Sequence, residues 1–336
     1  MADILCDVRD GIARVVLNRP EALNALTLEM AQALDARLRE WQDDPAVRCV
    51  LVRGQGSRAF CAGGDIRRLY DERGGDYPRQ FYRTEYRLNA RLHRFAKPYI
   101  AFLDGIVMGG GVGVSVHGSH RIATEHTMFA MPETGIGLFP DVGGSYFLSR
   151  LPGALGMYLG LTGARIGAAD AIYCGIAQYF VPGTNWDKLS DADSIAAVVR
   201  PTEPAKLAAH RTVIDRCFAC ESVEEIVDGL AHEVDPFAAD TLAVLKTKSP
   251  TSLKITHRQI RAGRDLDFDV CMRMEWRMVN RVIAGHDFYE GTRAAIIDKD
   301  RAPRWRPARL EEVSDEEVAR YFAPLSGDEL SFDWEA

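Results

Sequence analysis

Apolar strand patterns alternate with helical patterns along the first 180 residues of this chain. Residues 47–54 (VRCVLVRG) and 99–107 (YIAFLDGIV) have the composition of buried strands, and each is followed by a glycine-rich loop. An arginine-rich helical pattern lies between them, at residues 79–96. This alternation favours right-handed crossovers between parallel strands, with ligand sites at the carboxyl ends of the strands. The chain is therefore predicted to fold as an α/β protein.

Patterns toward both ends of the chain add further predicted elements. Residues 4–17 predict a β-hairpin around an Arg-Asp-Gly turn, and Thr27 is expected to cap the amphipathic helix that follows it. Residues 200–300 carry helical patterns broken by Pro, Gly or Asp. The predicted division is an α/β core at 1–182, a helical C-terminal region packed on the core at 183–300, and a surface extension at 301–336.

Composition narrows the class of protein. A net charge of -7 argues against a general nucleic-acid binder, and seven scattered cysteines are typical of reduced thiols in the cytosol. Cys217 and Cys220 form a single CxxC without further zinc ligands, and His117, His120 and His126 show no metal-binding spacing. No apolar run has the length of a membrane span. We expect a cytoplasmic protein that binds neither metal, membrane nor nucleic acid.

Two carboxylates lie in an otherwise apolar, glycine-rich segment, residues 129–151 (FAMPETGIGLFPDVGGSYFLSRL). Pro132 precedes Glu133 and Pro140 precedes Asp141, so neither acid belongs to the charge pattern of a solvated helix face. Such surroundings favour raised carboxyl pKa values suited to acid/base or nucleophilic work. Asp141 also stands where a helix N-cap would, which is an equally good explanation of that residue.

Two glycine-rich loops are the other candidates for chemistry. Residues 60–66 (FCAGGDI) let the backbone approach a ligand, and Asp65 is placed to cap the helix that follows. Residues 108–113 (MGGGVG) lack the GxGxxG spacing of a dinucleotide site. Glycine N–H donors from two strand ends, aimed at one oxygen, would form an oxyanion hole.

These segments together resemble the crotonase (enoyl-CoA hydratase/isomerase) superfamily. Within it, residues 132–144 (PETGIGLFPDVGG) resemble the 3-hydroxyisobutyryl-CoA hydrolases. The resemblance continues through residues 249–256 and 285–300, so it covers nearly the whole chain. It implies a crotonase-like ββα spiral core with a helical C-terminal region.

The resemblance also implies roles for individual residues. The backbone N–H groups of Gly64 and Gly110 would polarise a thioester carbonyl. Glu133 and Asp141 would be the catalytic pair. Hydratases that add water to a double bond carry a second glutamate two residues after the glycine triplet, and here Gly113 occupies that position. This departure argues against simple hydration.

Substrate-binding roles follow from the same resemblance. Glu85, Ala62 and Asp65 are assigned to substrate binding, although a glutamate beside arginines on a helix is more often a solvated ion pair. Arg58 and Lys299 are candidates for contacts to the coenzyme A phosphates, but both are also ordinary surface residues by default.

The predicted function is hydrolysis of a short 3-hydroxyacyl-CoA thioester, with 3-hydroxyisobutyryl-CoA, an intermediate of valine breakdown, as the expected substrate. No separate cofactor is expected, because coenzyme A is part of the substrate. The alternatives are an enoyl-CoA hydratase or isomerase and a non-catalytic acyl-CoA binding protein. Many superfamily members are trimers or hexamers, so a homo-oligomer is one expected outcome.

Overall fold

The computed structural model describes residues 2–189 and 191–335. The chain forms two units, each assembled from separated segments. The sheet unit consists of Met1–Asp65, Thr84–Ala130 and Arg165–Ala208, and the helical unit of Ile66–Arg83, Met131–Ala164 and Ala209–Ala336. The sequence-based division at 182 and 300 follows chain order instead, and it stays a prediction.

All strands of the described chain lie in the sheet unit. They are β1 Ile4–Arg9, β2 Ile12–Leu17, β3 Cys49–Gly54, β4 Ala59–Cys61, β5 Tyr99–Leu103, β6 Ile106–Met108, β7 His120–Ala123, β8 Met128–Ala130 and β9 Tyr179–Phe180. One sheet has the order β1-β2-β3-β5-β7-β9 and the other β4-β6-β8. The β1–β2 pair is antiparallel and the other pairs are parallel. The predicted α/β class is confirmed.

Helices make up most of the remainder. They are α1 Leu28–Asp43, α2 Ile66–Asp71, α3 Tyr77–Arg94, α4 Gly110–Gly113, α5 Gly144–Phe147, α6 Leu155–Thr162, α7 Ala168–Tyr173, α8 Ala192–Val198, α9 Leu207–Phe218, α10 Val223–His232, α11 Pro236–Leu245, α12 Pro250–Gly263, α13 Phe268–Val282, α14 Asp287–Thr292 and α15 Asp315–Phe322. The helices predicted between residues 200 and 300 are confirmed as α9 to α13. None of the helices that the structure describes is long and apolar enough to cross a membrane.

The predicted hairpin and the predicted cap of α1 are both present. Asp10 and Gly11 have positive φ values of 54° and 78°, as a tight turn requires, and they set Arg9 opposite Ile12. The hydroxyl of Thr27 accepts a hydrogen bond from the N–H of Met30, 3.2 Å away. This bond satisfies one of the N–H groups that a helix start leaves without a partner.

The core of the sheet unit lies against one face of the larger sheet. Side chains at alternating strand positions share this face and are buried: Ile12, Cys49, Leu51, Ile100, Phe102 and Ile122. Ile195 and Val198 of α8 pack on the same cluster. Burial of this face fixes the register of the strands, and therefore the places where their loops emerge.

The segment at residues 99–107 is two strands, so the prediction of one strand there is wrong. Strand β5 ends at Leu103, and Gly105, with φ at 83°, redirects the chain into β6. A Cβ at Gly105 would lie 2.6 Å from backbone atoms of Arg58, so only glycine fits this crossing. As a result β6 lies beside β4 in the small sheet, and both glycine-rich loops follow neighbouring parallel strands.

The chain end after residue 300 contributes to the core of the helical unit. It includes the 3-10 helix Leu310–Glu312, helix α15 and the 3-10 helix Asp333–Glu335. Leu330 and Phe332 are 1% and 4% exposed. Residues 301–336 were expected to be a surface extension, and the structure shows that some of these apolar side chains are buried.

Candidate active site

The two glycine-rich loops meet within the sheet unit. A Cβ added to Gly110 would lie 3.2 Å from the backbone nitrogen of Gly64. Gly64 forms a bridge with Leu26 through the carbonyl of Gly63 and the N–H of Asp65, so the bridge does not use the Gly64 N–H. Gly110 is the first residue of α4, so its N–H has no acceptor within that helix. The structure thus brings together the two N–H groups predicted to hold an oxyanion.

Glu85 lies against Gly110. Its side chain is 2% exposed, and a Cβ at Gly110 would collide with Oε1 of Glu85. The solvated ion pair that is the usual role of such a glutamate is therefore excluded for Glu85. A buried carboxyl group at this point can contact a substrate held by the two N–H groups.

The other predicted contacts of the sheet unit lie near these loops along the chain. The N–H of Ala62 donates to the carbonyl of Leu23 at 3.0 Å. The carboxylate of Asp65 accepts a hydrogen bond from Arg19 at 3.0 Å. Arg58 is exposed, as is Lys299, which belongs to the helical unit. Binding roles for these residues stay predictions.

Glu133 begins the 3-10 helix Glu133–Ile136 of the helical unit. Its side chain is only 4% exposed, and Oε2 has no hydrogen-bond partner among the described residues. Burial raises the pKa of Glu133 well above its ordinary value, and the negative charge of Asp141 raises it further. Lys248 acts in the opposite direction and lowers it. A desolvated carboxyl group with one oxygen unoccupied can act as a base or as a nucleophile.

Asp141 does not cap α5, so that explanation of the residue is wrong. The N-cap position of α5 is occupied by Gly143, which has φ at 85° and no side chain that could cap the helix. Asp141 is 3% exposed and lies two residues before this cap. Both acids are buried, and the charge of Asp141 raises the pKa of Glu133, so the two groups interact electrostatically.

The helix start at α5 is held by Glu275, a residue that the sequence analysis missed. Oε2 of Glu275 accepts the N–H of Gly143 at 2.8 Å, and Oε1 accepts the N–H of Ser145 at 2.9 Å as well as its hydroxyl. Glu275 is fully buried, which raises its pKa to about 8, while the bonds from Ser145 and Gly143 lower it.

A signal for Glu275 was present in the sequence. It lies on α13, four residues after Cys271 and three before Met278, and both of these are buried. An acid on the apolar stripe of an amphipathic helix is buried and needs a partner. The partner lies 130 residues away along the chain, at Ser145, and no local pattern identifies it.

Within residues 2–189 and 191–335, no three His, Cys, Asp or Glu side chains are grouped so that they could hold a metal ion. His126 contacts Asp104 at 3.0 Å, and His120 stacks on Tyr179.

Comparison with known proteins decides the family. The pattern of the enoyl-CoA hydratase/isomerase family matches residues 12–322. The chain belongs to this family. The position two residues after the glycine triplet, Gly113, is the buried last residue of α4 and supplies no carboxylate.

Within this family, similar curated proteins share one name. The protein from Gallus gallus named 3-hydroxyisobutyryl-CoA hydrolase, mitochondrial, is 44% identical over 98% of this chain and 91% of its own length. Proteins of the same name from Xenopus tropicalis and Homo sapiens are 45% and 41% identical, over 95% and 98% of this chain and 89% and 91% of theirs.

Solved structures in the family confirm the predicted crotonase-like fold. A carnitinyl-CoA dehydratase from Mycobacterium thermoresistibile is 41% identical with a TM-score of 0.94, covering 98% of this chain and 99% of that one. An enoyl-CoA hydratase from Rhodobacter sphaeroides 2.4.1 is 42% identical with a TM-score of 0.92, covering 98% of this chain and 100% of that one.

Proposed function

We propose that this protein hydrolyses 3-hydroxyisobutyryl-CoA to 3-hydroxyisobutyrate and coenzyme A. The observation that carries the proposal is the buried pair of Glu133 and Asp141, with Oε2 of Glu133 unoccupied. The names of relatives that are 41–45% identical support the substrate. The reaction is the transfer of an acyl group from sulfur to water, so it needs a base or nucleophile and a site that stabilises an oxyanion.

The N–H groups of Gly64 and Gly110 supply the oxyanion site in this proposal. When the thioester carbonyl is attacked, negative charge develops on its oxygen, and two fixed N–H donors stabilise that charge. Polarisation and attack occur at the same carbonyl group, so the proposed mechanism needs both the N–H donors and Glu133.

Glu133 has two chemically acceptable routes. Its carboxylate attacks the carbonyl carbon and expels the coenzyme A thiolate, leaving a mixed anhydride that water then cleaves, or it removes a proton from an attacking water. Acid quenching during turnover, followed by mass measurement of the peptide that contains Glu133, separates the routes. An acyl adduct on Glu133 is expected only for the anhydride.

Asp141 and Glu85 are proposed to orient the reactants. Asp141 would accept a hydrogen bond from the 3-hydroxyl group of the substrate or from the attacking water, and Glu85 would share this task beside Gly110. Ala62 and Asp65 would complete the substrate contacts. Arg58 and Lys299 remain the proposed contacts to the coenzyme A phosphates.

Three properties outside the chemistry remain predictions. Coenzyme A enters only as part of the substrate, and no separate cofactor is proposed. A cytoplasmic location is proposed from the cysteine usage, whereas the relatives are named mitochondrial. A homo-oligomer is proposed from the family and not from any surface of this chain.

The experiment that tests the function compares two substrates. Purified protein is supplied with 3-hydroxyisobutyryl-CoA and, separately, with crotonyl-CoA, while free thiol and the conjugated double bond are both measured. Thiol release from the first substrate and an unchanged double bond in the second are the expected result. Loss of the double bond without thiol release would instead establish hydration, and coenzyme A binding without any turnover would establish a binding protein.

A further inference from the structure

The loop from Pro140 to Ser145, which contains Asp141, has a strained backbone. Val142 has φ at 51°, in the left-handed region that β-branched residues rarely enter, and Gly143 follows with φ at 85°. A strained residue of this kind costs on the order of 1–3 kcal/mol and persists where its surroundings fix it. The direction of the Asp141 side chain depends on this backbone.

Two buried side chains fix the loop at both ends. Glu275 accepts the N–H groups of Gly143 and Ser145 and the hydroxyl of Ser145. Gln259 donates to the carbonyl of Pro140 at 2.6 Å. The amide of Gln259 also lies 3.5 Å from Oε1 of Glu275, so the two side chains support one another. Asp141 and Val142 lie between the points that they hold.

We propose that Glu275 is a positioning residue for Asp141. This inference rests on the proposed function. Glu275 would not touch the substrate. Through its bonds to Gly143 and Ser145 it would hold the strained loop so that the Asp141 carboxylate keeps a single direction. A displacement of about 1 Å at a catalytic group can reduce a rate by about 100-fold, so a distant residue of this kind can control turnover.

The electrostatics of the three buried acids agree with this arrangement. The charge of Asp141 raises the pKa of Glu133 and also the pKa of Glu275. Asp141 is therefore within electrostatic range of both residues, the proposed catalytic one and the proposed positioning one.

A double-mutant cycle on thioester hydrolysis tests the inference. Glu275→Gln keeps the size of the side chain but replaces one acceptor oxygen with an amide group, which faces an N–H donor. We expect kcat to fall about 10- to 100-fold with KM changed less than about threefold. In the Asp141→Asn variant, the addition of Glu275→Gln is expected to lower kcat by less than a further threefold, because both changes disable the same carboxylate.

Two further variants keep the test decisive. Ser145→Ala removes the hydroxyl donor to Glu275 and retains both backbone bonds, so kcat is expected to fall less than in Glu275→Gln. If Glu275→Gln fails to fold, Ser145→Ala replaces it in the cycle, and its smaller loss is expected to disappear in the presence of Asp141→Asn. Asp287→Asn is the matched control, because Asp287 is also buried and also accepts a side-chain hydroxyl and a backbone N–H, from Ser249 and Arg306. Asp287→Asn is expected to change kcat by the same factor in the parent and in the Asp141→Asn variant.

The outcomes separate this inference from the proposed function. Asp141→Asn could be slow while Glu275→Gln lowers kcat by the same factor in that variant as in the parent. In that case Glu275 does not act through Asp141, and this inference is overturned while the proposed function stands. If Glu275→Gln retains the parent kcat, the inference is overturned as well. If Asp141→Asn itself retains the parent rate, the catalytic role of Asp141 is wrong and this inference falls with it.

Discussion

At the scale of a single residue, Glu133 is distinguished by its burial and by an oxygen, Oε2, that has no hydrogen-bond partner among the described residues. Its pKa is raised by desolvation first and by Asp141 second, and Lys248 lowers it. A carboxyl group must lose its proton to act as a base or nucleophile, so activity should rise with pH as Glu133 ionises. In the proposed mechanism, Lys248 lowers the pH at which Glu133 becomes active.

Replacement of Lys248 with Met tests this dependence. Loss of the cation removes an interaction that favours the ionised carboxylate, so the pKa of Glu133 rises further and the ascending limb of the activity profile moves to higher pH. Lys246→Met, two residues earlier and exposed, is the control and should leave the profile in place. The measurement is kcat/KM against pH. A limb that does not move in Lys248→Met would contradict the assignment.

Gly110 allows a second prediction at this scale. A methyl group at this position would collide with Oε1 of Glu85 and lie 3.2 Å from the Gly64 nitrogen. Gly110→Ala should therefore displace the oxyanion donors and reduce kcat by about 10²- to 10³-fold. Gly167→Ala is the matched control, because its nearest neighbour would be 3.9 Å away. Equal activity of the two variants would exclude Gly110 from the oxyanion site.

At the scale of elements, the sequence predicted the elements that have long patterns. The hairpin, helix α1 with its Thr27 cap and helices α9 to α13 follow from periodicity and capping residues. Strands β4 and β6 have three residues each, too few to show a period, and they were missed as separate strands. These two strands carry the glycine-rich loops, so the motifs were found although the sheet that joins them was not.

The C-terminal segment provides the prediction for this scale. Leu330 is 1% exposed, and its carbonyl accepts a hydrogen bond from Arg273 of α13 at 3.2 Å. Leu330→Ala should lower the free energy of unfolding by about 2–5 kcal/mol, because it leaves a cavity in the helical unit. Val234→Ala, at a side chain that is 99% exposed, should change it by less than about 0.5 kcal/mol. Urea unfolding measures both, and equal midpoints would contradict the burial of this segment.

At the scale of the whole molecule, the site residues were predicted from family motifs, whereas composition only excluded classes of protein. Each predicted part of the site was located from a short, continuous motif. These parts are the segment that contains Glu133 and Asp141 and the loops that contain Gly64 and Gly110. Glu275 was not located, because its partners Gly143 and Ser145 are 132 and 130 residues away and only the fold brings them together. Asp141 was open to a capping role for the same reason, since the residue that holds the helix start comes from α13.

Replacement of Glu133 tests its proposed role in thioester hydrolysis. Free-thiol release from 3-hydroxyisobutyryl-CoA is compared between the parent, Glu133→Gln and the control Glu316→Gln, whose side chain is 81% exposed. We expect the control to match the parent and Glu133→Gln to be slower by about 10²- to 10⁴-fold. Hydrolysis by Glu133→Gln at the parent rate would contradict the account.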